Sequence, residues 1–115
     1  MRFWAPDGVF DLSGTALGTY EGHAAIRAFF EEWISAYDDV QFEFEEVSDL
    51  CNGVVFAVPV LNARLAGSTG SVQGRYGAVS IWVDGLCERV TNYADIDQAR
   101  TAAERLAEER AQPDV

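Results

Sequence analysis

Between Ile26 and Glu45 the spacing of apolar residues changes from that of a helix to that of a strand, and this switch limits the chain to folds that lay a helix against a sheet. Ile26, Phe29, Phe30, Trp33 and Tyr37 form one helical stripe, with Arg27, Glu31, Glu32 and Asp38 on the other face. From Val40 onward Phe42 and Phe44 alternate with Gln41, Glu43 and Glu45, the period of a half-buried strand. Asn52-Gly53 supplies the positive-φ residues of a tight hairpin turn. The return segment Val54–Leu61 is nearly all apolar, as burial on both faces requires. Pro59 within it cannot donate a ladder hydrogen bond and predicts an edge or a bulge.

The remaining punctuation completes the sheet. Trp4–Leu12 reads as a short strand followed by a Gly14–Gly18 loop. Gly67-Ser68-Thr69-Gly70 turns the chain into a strand from Val72 to Val83, and Asp84-Gly85 turns it again into Leu86–Tyr93. Ile96, Ala99, Ala103, Leu106 and Arg110 then share one side of a terminal helix, 96–112, with Pro113 marking its end. The predicted fold is α+β: a curved, mainly antiparallel sheet wrapped on an amphipathic helix, with a C-terminal helix. At 115 residues it is one domain, 1–115, burying roughly two-thirds of its unfolded surface.

Composition excludes several partners. A net charge of −11 without a Lys/Arg cluster argues against a nucleic acid, whose phosphates need clustered cations. No apolar run approaches the roughly 20 residues that cross a bilayer, and Asp7 and Asp11 interrupt any signal-peptide core, so no membrane partner and a cytoplasmic location are expected. Cys51 and Cys87 form no Cys-x-x-Cys pair, and with one histidine there is no zinc set; both read as buried thiols. With no phosphate-cradling loop either, no metal and no cofactor are expected.

The last hairpin carries the site prediction. A two-residue Asp84-Gly85 turn sets Val83 opposite Leu86 and, by strict alternation, puts Arg75, Gly77, Val79, Ile81 and Val83 on one face with Glu88, Val90, Asn92 and Ala94. Tyr76, Ala78, Ser80 and Trp82 share the other with Cys87, Arg89, Thr91 and Tyr93. The first face, apolar with isolated polar groups, suits a small-molecule pocket, and the second suits a sheet-to-sheet contact. The predicted pocket residues are Phe30, Trp33, Val79, Ile81, Val90 and Asn92. Trp33 and Phe30 equally suit the core, and Asn92, if buried, needs a partner or a ligand.

Gly22-His23-Ala24-Ala25-Ile26-Arg27-Ala28-Phe29, the Asp84-Gly85 hairpin and Tyr93-Ala94-Asp95 together resemble a SnoaL-like domain of the nuclear transport factor 2-like superfamily. The resemblance spans the chain, while the helix that usually opens the family has no counterpart ahead of Trp4. It implies a cone-shaped α+β barrel, a fold shared by ketosteroid isomerases, polyketide cyclases, epoxide hydrolases and non-catalytic domains. It also implies pairing through the sheet, so a homodimer is expected.

Among those activities the resemblance places Asp11 near the isomerase's general base, where an apolar surrounding would raise its pKa. Val79, however, occupies the position of the isomerase's second acid, and its tyrosine has no counterpart. Arg75 resembles the arginine of the epoxide hydrolases, although Gly77 stands where a strand acid is expected. His23, at a helix start beside Glu21, suits a capping role more than the acid/base role of the cyclases. Asp11 and Arg75 are therefore the catalytic candidates, with alternatives: Asp11 can satisfy backbone donors of its loop, and Arg75 can pair with a surface carboxylate. The favoured function is an apolar small-molecule-binding domain of undefined activity. The alternatives are a cofactor-independent isomerase, cyclase or hydrolase using Asp11 as base, and a dimerisation module without ligand. Convergence of Asp11 and Arg75 on one cavity discriminates between them.

Overall fold

The computed structural model describes residues 4–14, 18–65, 67 and 70–111. Among these residues the order is β1 (Trp4–Gly14), β2 (Thr19–Glu21), α1 (His23–Ser35), β3 (Tyr37–Asp49), β4 (Val54–Leu65), β5 (Ser71–Arg75), β6 (Gly77–Val83), β7 (Leu86–Tyr93) and α2 (Ile96–Ala111). The strands form one sheet in the order β2-β1-β7-β6-β4-β3, with β5 also paired to β4. Only the β1–β7 pairing is parallel among the described strands. This is the predicted α+β architecture, with β2 added, β3 starting at Tyr37, and residues 15–17 and 68–69 of the two predicted glycine-bounded turns outside the described residues.

Each helix covers one face of the sheet. On the first, α1 buries Ile26 completely and packs with Trp4, Phe10, Leu12 and Cys87; full burial of such an Ile contributes about 1.5–3 kcal/mol. On the opposite face α2 sets Ala99, Ala103 and Ala107, one per turn, against Val54, Phe56, Val58 and Val79. Small side chains let the helix sit close, and Gly77 makes the approach closer still: a Cβ there would stand 2.3 Å from the Cβ of Ala99. Asp95 caps α2 by accepting from the Gln98 N–H at 3.1 Å. Arg100 ties the helix to β3 through two bonds of 2.9 Å to Glu46.

Both hairpin turns adopt the predicted left-handed backbone, Asn52 and Gly53 at φ 59° and 80°, Asp84 and Gly85 at 53° and 80°. Cys51, at φ 72°, joins the first turn and is exposed, so only Cys87 is a buried thiol. The bulge expected at Pro59 falls on the partner strand, where Glu45 is left over between the Phe44–Pro59 and Glu46–Val58 pairs, and a gap flanks Pro59 on its other side. β4 pairs with β6 over Val54–Ala57 and with β5 over Val60–Arg64, and Pro59 falls between the two partners, where a missing donor costs no ladder bond. The same break, at Tyr76, divides the predicted Val72–Val83 strand in two.

The β6–β7 register overturns the predicted faces. Val83 does pair with Leu86, and Trp82 with Cys87, but Ile81 pairs with Arg89, leaving Glu88 as a bulge. One extra residue exchanges the faces of everything beyond it. Val79 and Ile81 therefore share the α2 face with Thr91 and Arg89, while Val90 and Asn92 lie on the α1 face opposite Ser80 and Ala78.

Candidate functional site

A cavity of about 320 Å³ opens between α1 and the sheet. β1 contributes Phe10 and Leu12, because the period of two that turns Asp11 away turns its neighbours inward. From α1 come Phe29, Phe30 and Trp33, the successive turns of its apolar stripe. Phe42 of β3 and Leu61 of β4, directly paired, form the far wall. Phe10 stacks on Phe30 at 5.3 Å between centroids and meets Phe29 edge-on at 5.7 Å, so this part of the wall is already assembled.

Polar groups on the lining are few. Asn92 is 6% exposed, and its Oδ1 has no hydrogen-bond partner among the described residues. Such an orphaned acceptor costs about 1–3 kcal/mol. Tyr76 is half-buried and loss of hydration pushes its phenol pKa up. Arg75 lines the mouth but pairs with Glu45, the residue left over between the Phe44 and Glu46 pairings of β3. That bond is the main reason the guanidinium pKa is raised.

Asp11 lies on the opposite face. It accepts from Arg89 Nη2 at 2.6 Å and from Thr19 Oγ1 at 3.2 Å, tying β1 to both of its neighbours. Its recess, under α2, is lined also by Arg105, Leu106 and Glu109. The two catalytic candidates are thus not brought together: Asp11 faces α2, while Arg75 stands at the cavity mouth beside Glu45. Of the predicted pocket residues, Phe30, Trp33 and Asn92 line the cavity, and Val79 and Ile81 line the recess under α2. Val90 packs into the Phe10 cluster without lining the cavity. His23 Nε2 is 2.9 Å from the carbonyl of Trp4 and holds the start of α1 to β1. Phe10, Phe29, Phe42 and Tyr76 are lining residues that the sequence did not single out, although for Phe10 the alternation around Asp11 is a usable signal. Among the described residues no group of three or more His, Cys, Asp or Glu side chains gathers as a metal site needs.

A curved sheet closed on one side by a helix over an aromatic cavity defines the cone-shaped α+β domain of the nuclear transport factor 2-like superfamily. Within that class, the profile of the SnoaL-like domain matches residues 1–90, and the chain belongs to that family. No curated protein matches the sequence significantly. Among solved structures, the chain is similar to a ketosteroid isomerase-like protein from Catenulispora acidiphila in complex with trimethylamine. The two share 11% identity at a TM-score of 0.72, over 89% of this chain and 77% of that one. It is similar also to a Mycobacterium tuberculosis protein in complex with estradiol-17beta-hemisuccinate, with 21% identity, a TM-score of 0.68, and 84% and 78% coverage. A third is TerC co-crystallized with polyporic acid, at 16% identity and a TM-score of 0.67, covering 90% and 81%. At these identities the likeness is one of fold.

Proposed function

We propose that this domain binds an apolar small molecule in the cavity between α1 and the sheet, without acid/base catalysis by Asp11. The observation that carries the reading is the division of the two faces. The cavity wall is mainly aromatic and aliphatic, with Asn92, Tyr76 and Arg75 its polar members, and holds no carboxylate among the described residues, whereas Asp11 is bonded to Arg89 and Thr19 on the other side. A general base must come within hydrogen-bond reach of the proton it removes. The complexes of similar folds with a small amine and a steroid ester support binding as the reading.

Asp11→Asn is the deciding variant. Tryptophan fluorescence reports on Trp33 in the wall, and because the carboxamide of Asp11→Asn keeps an oxygen that accepts from Arg89 and so retains the β7 register, titration with hydrophobic ligands should give the same affinities for the wild type and Asp11→Asn. Turnover of any α-acidic ketone or epoxide by the wild type that Asp11→Asn abolishes would refute the proposal.

The expected homodimer belongs to the same proposal. α2 covers one face of the sheet, so pairing through the sheet uses the α1 face near β3, where Phe44 and Val47 are 61% and 62% exposed.

A further inference from the structure

The cavity lining also favours one charge on its occupant. Phe10, Phe29, Phe30, Trp33, Phe42 and Tyr76 place six aromatic side chains around it. Aromatic faces carry negative potential, and an ammonium within about 6 Å of such a face is held by it, most strongly when desolvated. Among the described residues the lining's one cation, Arg75, is matched by Glu45, which leaves an anion no free positive partner there. A chain of net charge −11 repels an anion on approach and attracts a cation. Asn92 adds the second observation: it lines the cavity at 6% exposure, and its carboxamide oxygen is unpartnered among the described residues. A hydrocarbon leaves that acceptor unpaired, whereas a protonated amine can donate to it.

Resting on the small-molecule reading above, we propose that the ligand is a lipophilic tertiary ammonium, its cationic head among the rings and its N–H directed to the Asn92 carboxamide oxygen. The cavity of about 320 Å³ holds about ten non-hydrogen atoms at the ~30 Å³ that a water occupies in the liquid. An aromatic ring with a dimethylammoniomethyl group is of that size.

Three probes of nearly equal shape separate the contributions: N,N-dimethylbenzylamine, which is protonated at neutral pH, benzyltrimethylammonium, which is cationic without an N–H, and neopentylbenzene, the neutral isostere. In fluorescence titrations the dimethylammonium should bind at least about tenfold tighter than neopentylbenzene, a difference of about 1.4 kcal/mol, with the quaternary ion between them. Asn92→Leu should bring the dimethylammonium to the level of the quaternary ion. Asn92→Asp should tighten both cations and leave the hydrocarbon unchanged. If neopentylbenzene binds as well as the cations, the ammonium proposal is overturned while apolar binding stands. If none of the three binds to the folded protein, both readings fall. Unchanged affinities in both Asn92 variants overturn the role given to the carboxamide.

Discussion

Asn92→Leu should make the ligand-free protein more stable, an unusual outcome for a substitution at a site that is only 6% exposed. In the wild type the side-chain oxygen is buried without a partner among the described residues. Leaving a buried acceptor unsatisfied costs about 1–3 kcal/mol. Leucine removes that cost and adds apolar surface beside Phe10 and Leu12, and the adjoining cavity of about 320 Å³ receives its extra volume without overpacking. For a domain near 100 residues each kcal/mol moves Tm by about 4 °C at the low end, so the expected rise is about 4–12 °C. Differential scanning calorimetry and urea unfolding should agree on the direction. An unchanged or lower Tm refutes the reasoning, since the amide would then be contributing as much structurally as its unpaired oxygen costs. A higher Tm with weakened binding of ligands that donate hydrogen bonds marks Asn92 as a residue kept for recognition at the expense of stability.

The opposite direction is expected at Gly77, where alanine would place its Cβ 2.3 Å from that of Ala99; the displaced α2 should cost about 2 kcal/mol or more, read as a lower urea midpoint with unchanged m-value. Burial pushes the Cys87 thiol up to about 11, against about 8.5 for a free thiol. The folded state therefore holds this proton longer than the unfolded one, so the stabilisation is complete below about pH 8.5 and is lost as pH rises through the folded value, by about 3 kcal/mol. Cys87→Ala should lack this decline, and at pH 8 a thiol reagent should label exposed Cys51 while sparing Cys87 until the protein unfolds. Light scattering at micromolar concentration should give twice the 12.6 kDa chain mass, and Phe44→Glu should return the monomer; a monomeric wild type counts against pairing through this face.

Elements are legible in this sequence in proportion to the strength of their local signals. The α1 stripe from Ile26 to Trp33, the Asn52-Gly53 and Asp84-Gly85 turns and the Ala-rich face of α2 each involve several residues demanding the same geometry, and all are present, whereas Tyr37, the last residue of the predicted stripe, opens β3 instead. β2 escapes notice because Thr19–Glu21 is too short to show a period. The break at Tyr76 is visible only when β4's two partners are known, since Val72–Val83 satisfies strand propensity throughout.

The site is harder to read for a more specific reason. Strict alternation from Leu86 puts Asn92 with Val79, and the Glu88 bulge separates them. Nothing local betrays that bulge, because Glu88 and Arg89 are consecutive polar residues, and a strand containing two in a row accepts either phase for the residues beyond them. The phase is chosen by tertiary contacts. The observed register buries Cys87 in the Phe10 cluster and still gives Arg89 the Asp11 carboxylate at 2.6 Å, whereas strict alternation sends Arg89 to the same face as Cys87, away from that partner. The Asp11–Arg89 pair thus fixes the phase that delivers Asn92 to the cavity. Asp11, which resembles a catalytic base on sequence, then serves the site from the far side of the sheet by setting its register. Asp11→Asn combined with Arg89→Leu should leave the fold recognisable by circular dichroism, and should shift the β7 amide resonances of Arg89–Tyr93 far more than those of α1. Unmoved β7 resonances would show that the bulge is held by the Cys87 side alone.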